Sequence, residues 1–145
     1  MIIRKAEIAD LQVLAELACG LWPEHTLTQM LSELRESIVS PDAVFFLALA
    51  EETALGFAQC QLRHDYVEGT DSSPVGYLEG IYVAEDCRHQ GLAKALLAAC
   101  EGWARDQGCA EFASDCELSN VDSLGFHLKV GFLEAGRIIC FTKKL

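Results

Sequence analysis

The chain has 145 residues, of which 51% are hydrophobic, 22 are acidic and 11 are basic, so its formal net charge is -11. This size and composition favour a single domain at 1–145 and argue against disorder, a collagen-like repeat or a membrane-spanning helix, which needs about 20 apolar residues in a row. The acidic balance argues against a nucleic-acid partner and suits cationic small molecules, although composition alone is better explained by ordinary solubilising charge.

The cysteine content and the N-terminus favour a cytoplasmic protein with reduced thiols. Seven cysteines are an odd number, several of them lie in apolar stretches where a free thiol packs as a small hydrophobe, and no apolar signal segment opens the chain. No Cys-x-x-Cys pair occurs, and the four histidines are scattered without ligand spacing. The sequence therefore predicts no metal site.

Hydrophobic periodicity predicts the helices and strands. Leucines and alanines at helical spacing indicate helices, and dense apolar runs indicate strands. Thr26 and Gln29 form a capping-box pattern, and Gly108 is placed just beyond a helix end. In chain order, the predicted elements are a strand at 2–6, helices at 9–21 and 27–38, strands at 44–50, 55–66 and 76–83, a helix at 91–107, a strand at 109–114, a helix at 120–130 and a strand at 136–143. This order predicts a mixed α/β fold with one central sheet flanked by helices.

The turn before the third predicted helix carries the most informative motif. Gly91 and Ala93 leave backbone N–H groups uncovered at a helix N-terminus, where the helix dipole favours a phosphate. Arg88, His89 and Lys94 add positive charge to an otherwise acidic chain. A plain strand-to-helix turn would also explain the glycine, and the turn matches neither a P-loop nor a dinucleotide fingerprint. The residues of this candidate diphosphate site are Arg88, His89, Gln90, Gly91, Leu92, Ala93 and Lys94.

The motif Arg88-x-x-Gly91-x-Ala93 resembles the acetyl-CoA motif R/Q-x-x-G-x-G/A of the GNAT N-acetyltransferases. The element order is similar to theirs, and a second block resembles their N-(x)n-L-x-K-x-GF segment through Asn120, Leu128, Lys129, Gly131 and Phe132. Within that superfamily, further stretches closely resemble the aminoglycoside 6′-N-acetyltransferases of the short chromosomal type. These stretches are 21–22, 63–67, 71–74, 78–83 and 113–115.

The resemblance implies transfer of an acetyl group from acetyl-CoA to the 6′-amino group of an aminoglycoside, by direct attack in a ternary complex. An aminoglycoside is a polycation, so carboxylates are expected in its site, and Glu79 and Asp115 lie on adjacent predicted strands. One of them, directly or through water, would accept a proton from the ammonium group. The resemblance implies that Asp115 binds the amine region, while Glu79 is a second ligand and a rival base.

The resemblance assigns further substrate contacts to Trp22, His25 and Tyr66, whose rings can flank a sugar. Judged without the resemblance, Trp22 is better explained as a helix terminator packed on the core, and His25 as a solvated loop residue.

The resemblance also assigns contacts with the cofactor. Backbone groups of Ile81, Tyr82 and Val83 would pair with the pantetheine arm like an added strand, and Asn120 would bond the same arm. Where many GNAT enzymes have a tyrosine that protonates the leaving thiolate, this chain has His127. The general acid therefore stays open between His127 and another group.

The resemblance and the sequence leave the oligomeric state and two rival functions to be tested. The apolar stretch 138–141 could be shared between subunits, which predicts a homodimer. The first rival function is acetylation of another amine, such as a polyamine or a protein N-terminus. The second is a CoA-binding sensor without turnover.

Overall fold

The computed structural model describes all 145 residues and consists of five β-strands and four α-helices. The strands are β1 (Ile2–Lys5), β2 (Ala43–Ala50), β3 (Thr53–Arg63), β4 (Val75–Val83) and β5 (Phe112–Ser114). The helices are α1 (Leu11–Leu21), α2 (Leu27–Ile38), α3 (Leu92–Asp106) and α4 (Val121–Lys129). Two short 3-10 turns lie at Ile8–Asp10 and Glu85–Cys87.

The five strands form one sheet in chain order, which confirms the predicted mixed α/β fold. Strands β1 to β4 pair antiparallel, and β5 pairs parallel to β4. The β4–β5 pairing covers only three positions and ends where Leu78 meets Ser114. Strand β4 then continues to Val83 with no neighbour on that side. The sheet is therefore open between β4 and β5 beyond this last pair.

Helices cover both faces of the sheet. On one face, α1 and α2 pack against strand residues such as Phe45 and Phe57. On the opposite face, α3 packs against Val44, Ala58 and Leu78. Since successive side chains of a strand point to opposite faces, two such cores require strands that are apolar on both sides. This requirement explains the dense apolar composition of β2.

A β-bulge interrupts β4 at Glu79. Leu78 and Gly80 pair with consecutive residues of β3, so Glu79 between them has no partner on that strand. A bulge adds one residue and re-aims the side chains around it. Leu78 packs in the core under α3, whereas Gly80 lies against Trp22 at the end of α1. Glu79 contacts Arg63 rather than the core under α3.

The capping signals of the sequence appear as predicted. The hydroxyl of Thr26 accepts a hydrogen bond from the Gln29 backbone N–H at 3.1 Å, and the Gln29 side chain accepts one from the Thr26 N–H at 2.8 Å. Gly108 follows α3 with a left-handed φ of 89°. Two strands are shorter than expected, since the strand predicted at 55–66 ends at Arg63 and the one predicted at 109–114 starts at Phe112.

The strand predicted at 136–143 is wrong for the single chain. Residues 133–145 have no regular secondary structure and form no backbone hydrogen bonds with the rest of the protein. Ile138, Ile139 and Phe141 are 79%, 81% and 88% exposed. A strand needs a neighbouring edge for its hydrogen bonds, and β5, with three residues, offers too short an edge for an eight-residue strand.

All seven cysteines are free thiols. Cys60 and Cys100 are buried in the core under α3, where a hydrogen bond from one thiol to the other, together with burial, raises the pKa of Cys100. None of the helices combines the length and the apolar character that crossing a bilayer requires.

The close contact between Gly80 and Trp22 predicts the effect of a single methyl group. A Cβ at position 80 would lie 2.7 Å from the Trp22 ring, so Gly80→Ala should destabilise the fold by about 1–3 kcal/mol. A Cβ on Gly102, inside α3, would meet no atom within 4 Å, so Gly102→Ala should stabilise the fold by about 0.5–1 kcal/mol. Urea unfolding of both variants measures these opposite changes in the free energy of unfolding. A Gly80→Ala variant as stable as the wild type would contradict this packing.

Candidate active site

Four side chains form one bonded cluster beside the opening of the sheet. Arg63 donates from Nε to Glu79 Oε1 and from Nη2 to Oε2, both at 3.0 Å. The Cζ atom of Arg63 lies 3.4 Å from the centroid of the Tyr77 ring, and the Tyr77 hydroxyl donates to Asp115 Oδ2. The structure thus brings the two candidate carboxylates together through Arg63 and Tyr77. We call these four residues the carboxylate cluster.

Strand geometry explains why the cluster forms on the face of the sheet opposite α3. A Cβ on Gly76 would touch Ala104 of α3, and Leu78 packs under the same helix, so Tyr77 between them points to the other face. Glu79 lies two residues after Tyr77 and contacts Arg63, and Asp115 directly follows the last residue of β5.

The members of the carboxylate cluster differ in burial. Tyr77 is only 6% exposed, and its burial, followed by its hydrogen bond to Asp115, raises the pKa of the phenol. The phenol therefore stays protonated and acts as a donor at neutral pH. Glu79 is half-buried, whereas Asp115 is exposed. One carboxylate is thus enclosed and ion-paired, and the other is open to solvent.

Trp22 and His25 line a cleft of about 150 Å³ between α2 and β3. The Trp22 ring meets Phe57 edge to face at 6.2 Å and packs on Gly80, the neighbour of Glu79. The carboxylate of Glu24 lies 3.3 Å from His25 Nδ1, but this buried nitrogen has no partner with hydrogen-bond geometry. The cleft thus places two predicted substrate contacts next to the carboxylate cluster.

Tyr66 lies apart from these residues. It is 77% exposed on the loop that follows β3, and its hydroxyl forms no hydrogen bond within the chain. The structure therefore does not join Tyr66 to the carboxylate cluster.

The N-terminus of α3 is open, as a diphosphate site requires. Gly91 is the N-cap with φ 80°, no side chain caps the helix, and a Cβ on Gly91 would meet nothing within 4 Å. Arg88 donates from Nε to the Val83 carbonyl at 2.9 Å, which leaves its terminal nitrogens free. His89 also has a positive φ, of 63°. These features fit the diphosphate of acetyl-CoA, since uncapped N–H groups and a guanidinium are suitable ligands for it.

The unpaired edge of β4 leads directly to this helix N-terminus. Ile81, Tyr82 and Val83 pair with β3 on one side and have no neighbour on the other. An extended ligand with amide groups can add to such an edge as a further strand. A chain of amides that ends in a diphosphate, as acetyl-CoA has, fits the edge and the turn together.

Asn120 and His127 lie at the two ends of α4. Asn120 caps the helix through Oδ1, which accepts from the Ser123 N–H at 3.1 Å, so its Nδ2 is free to donate. His127 has Nδ1 2.6 Å from the Ser123 carbonyl oxygen and Nε2 2.8 Å from the Ser114 hydroxyl. A carbonyl only accepts hydrogen bonds, so Nδ1 carries a proton, and in the neutral ring Nε2 can only accept, from the Ser114 hydroxyl, whose alternative acceptor is the Leu78 carbonyl oxygen at 3.4 Å. The neutral ring thus has no proton free for a leaving group.

The sequence assigned no role to three residues of this region, Arg63, Tyr77 and Ser114, although Arg63 and Ser114 lie in the resembling stretches 63–67 and 113–115. Strand alternation on β4 could have indicated Tyr77, which lies two residues before Glu79 in the same strand. The roles of Arg63 and Ser114 follow only from contacts between segments distant in the sequence, with Glu79 and with His127 respectively.

Comparison with known proteins identifies the family. Residues 11–132 match the model of the GNAT family of acetyltransferases. The chain belongs to the GNAT family. It is 44% identical over 144 residues to the aminoglycoside N(6′)-acetyltransferase type 1 of Stenotrophomonas maltophilia, covering 99% of this chain and 93% of that protein. It is 43% identical over 130 residues to the enzyme of the same name from Serratia marcescens, covering 89% of each.

Solved structures agree with this GNAT assignment and confirm the expected fold. The aminoglycoside N-acetyltransferase AAC(6′)-Iy in complex with CoA superposes with a TM-score of 0.95 at 39% identity, covering 99% of this chain and 95% of that one. The same enzyme with the bisubstrate analogue CoA-S-monomethyl-acetylneamine gives a TM-score of 0.94 at 39% identity, covering 99% and 98%.

The open turn at Gly91 predicts a specific loss of cofactor binding. Gly91→Glu places a carboxylate where the diphosphate would lie, and this repulsion should weaken acetyl-CoA binding roughly 100-fold or more. Gly108→Glu is the matched control, because Gly108 also has a left-handed φ and open space but lies at the other end of α3. Calorimetric titration measures both affinities. Wild-type affinity in a folded Gly91→Glu variant, or an equal loss in the control, would contradict the site.

Proposed function

We propose that this GNAT protein is an aminoglycoside 6′-N-acetyltransferase, which transfers the acetyl group of acetyl-CoA to the 6′-amino group of the drug in a ternary complex and so inactivates it. The observation that carries the proposal is the opening between β4 and β5, with an uncapped helix N-terminus on one face and a carboxylate cluster on the other. The full-length likeness to aminoglycoside N(6′)-acetyltransferases supports it.

In this function the cofactor lies along the opening. The pantetheine arm pairs with the backbone of Ile81–Val83 and receives a hydrogen bond from Asn120 Nδ2. The diphosphate binds the first N–H groups of α3 and the free nitrogens of Arg88, with Lys94 nearby in the first turn of the helix. The uncapped turn supports this placement, because a side-chain cap would occupy the same N–H groups.

The drug binds through its positive charges on the opposite face. Asp115 is exposed and close to the end of β5, so it is our choice as the ligand of the reacting ammonium and as its proton acceptor, directly or through one water. Glu79 is the second acidic ligand, and Trp22 and His25 form the wall of the adjoining cleft. The neutral amine then attacks the thioester carbonyl carbon, and the thiolate leaves.

The thiolate must receive a proton as the reaction ends. Ser114 occupies the last position of the β4–β5 pairing, where the opening begins, and its hydroxyl lies 2.8 Å from His127 Nε2. As an imidazolium, His127 would donate from Nε2 to Ser114 while Ser114 donates to the thiolate. This relay is our assignment for the general acid.

The proposed function predicts both the product and its regiochemistry. Kanamycin A mixed with acetyl-CoA should release free thiol and carry the new acetyl group on its 6′-nitrogen, as measured by thiol detection and NMR. An analogue with a hydroxyl at the 6′ position should be a poor substrate. Acetylation of a 2-deoxystreptamine nitrogen would contradict the regiochemistry. Faster turnover of spermidine or a peptide amine would favour another substrate class, and absence of turnover would favour a sensor.

The exposed C-terminal segment supports the proposal of a homodimer. Ile138, Ile139 and Phe141 are apolar, exposed and without backbone partners, and a second copy of the chain can supply both an edge and an apolar surface for them. The free thiols of all seven cysteines suit the cytoplasm, where we place the protein.

A charge in the C-terminal segment should dissociate this dimer. Ile139→Asp should yield monomers in sedimentation velocity at micromolar concentration, because an aspartate at the interface would be buried without a partner. Ile8→Asp is the control, since Ile8 is also an exposed isoleucine, at 62%, on the 3-10 turn before α1. A monomeric wild type, or a dimer that survives Ile139→Asp, would contradict the proposed interface.

A further inference from the structure

The two acids of the carboxylate cluster have unequal partners. Both oxygens of Glu79 accept hydrogen bonds from the cation Arg63. Asp115 accepts one hydrogen bond, and its donor is the neutral phenol of Tyr77. A bidentate guanidinium neutralises the charge of a carboxylate and takes one acceptor site on each of its oxygens. Within the cluster, the charge of Asp115 alone lacks a cation.

We propose that Arg63 and Tyr77 are positioning residues that direct the reacting ammonium group of the substrate to Asp115 rather than to Glu79. This inference rests on the proposed function and assigns roles to two residues on which that function does not depend. Arg63 keeps Glu79 paired. Tyr77 holds one oxygen of Asp115 and leaves the other free to accept from the amine.

Tyr77 can aim Asp115 because the tyrosine is fixed and the aspartate is not. Tyr77 lies in the middle of the sheet, paired with Gln61 of β3 and Ala113 of β5. Asp115 follows the last residue of β5, so no strand pairing holds its backbone. The hydrogen bond from the buried phenol is the contact that fixes the carboxylate. Loss of the hydroxyl should therefore release Asp115 without disturbing the sheet.

Arg63 can keep Glu79 occupied because two contacts hold its guanidinium. The group stacks on the Tyr77 ring at 3.4 Å and donates twice to Glu79. A substrate ammonium that paired with Glu79 would have to displace this bidentate cation. Pairing with Asp115 displaces no charged group. Pairing with Asp115 therefore costs less free energy than pairing with Glu79, and this difference directs the amine to Asp115.

The variant Tyr77→Phe tests the first role, because it keeps the ring beneath Arg63 and removes only the hydroxyl. A hydrogen bond to a charged group is involved, so kcat/KM for kanamycin A should fall roughly tenfold or more, while the KM of acetyl-CoA stays unchanged. In an Asp115→Ala background, the same substitution should cause no further loss, because its effect passes through Asp115. A loss that is independent of Asp115 would show a merely structural role and overturn the assignment of Tyr77.

The variant Arg63→Met tests the second role and should act in the opposite direction. It keeps the apolar stem on the Tyr77 ring but removes a cation from a site for a polycation. The KM of kanamycin A should fall about fivefold, since no cation then neutralises Glu79 and it attracts an ammonium more strongly, and kcat should fall because part of the drug has its reacting ammonium at Glu79. An increase in KM would overturn the role of Arg63.

Wild-type turnover separates this inference from the proposed function. If wild type acetylates kanamycin A at the 6′-nitrogen and Tyr77→Phe leaves every constant unchanged, the role of Tyr77 is wrong and the proposed function stands. If wild type releases no thiol, the proposed function fails, and calorimetric binding of kanamycin A decides the inference alone. The expected order of affinity is then Arg63→Met above wild type and wild type above Tyr77→Phe, and any other order overturns it.

Discussion

The early end of the β4–β5 pairing is the constraint on which the site depends. After Leu78 meets Ser114, β4 continues alone, and its free edge, the N-terminus of α3 and the carboxylate cluster all border the resulting opening. The bulge at Glu79 lies at the same place, immediately after the last paired residue. A β5 that followed β4 to Val83 would fill the edge with its own backbone and leave no place for an amide-bearing ligand.

Charge is separated across this opening, and the separation suits the two proposed ligands. The chain carries a net charge of -11, yet Arg88 and His89 lie in the turn before α3 and Lys94 lies in the first turn of this helix. A diphosphate is attracted to that turn and repelled elsewhere, whereas a polycation is attracted to the acidic surface. Arg63 is a cation within the carboxylate cluster, and its pairing with Glu79 reduces its repulsion of the drug.

Local patterns made much of the fold predictable from the sequence. Helical spacing, the Thr26 capping box and the turn at Gly91 depend on neighbours within a few residues, and the structure agrees with each of them. The bulge could not be predicted, because Glu79 is displaced by the register of β3, a distant segment. The hydrogen bonds from Arg63 to Glu79 and from Tyr77 to Asp115 could not be predicted for the same reason, because they join residues 16 and 38 positions apart in the sequence. The C-terminal strand was wrongly predicted because a run of apolar residues does not show whether the chain offers a neighbouring strand edge to pair with.

Two consecutive residues at the end of β5 can serve both proton transfers of the proposed reaction. The amine must lose a proton before it attacks, and the thiolate must gain one as it leaves. Successive side chains of a strand point to opposite faces, so Asp115 meets Tyr77 on one face while Ser114 meets His127 of α4, which packs near α3, on the other. The amine therefore loses its proton on one face of the sheet, and the thiolate gains a proton on the other face. The same alternation keeps the carboxylate away from the thiolate, whose negative charge it would otherwise destabilise.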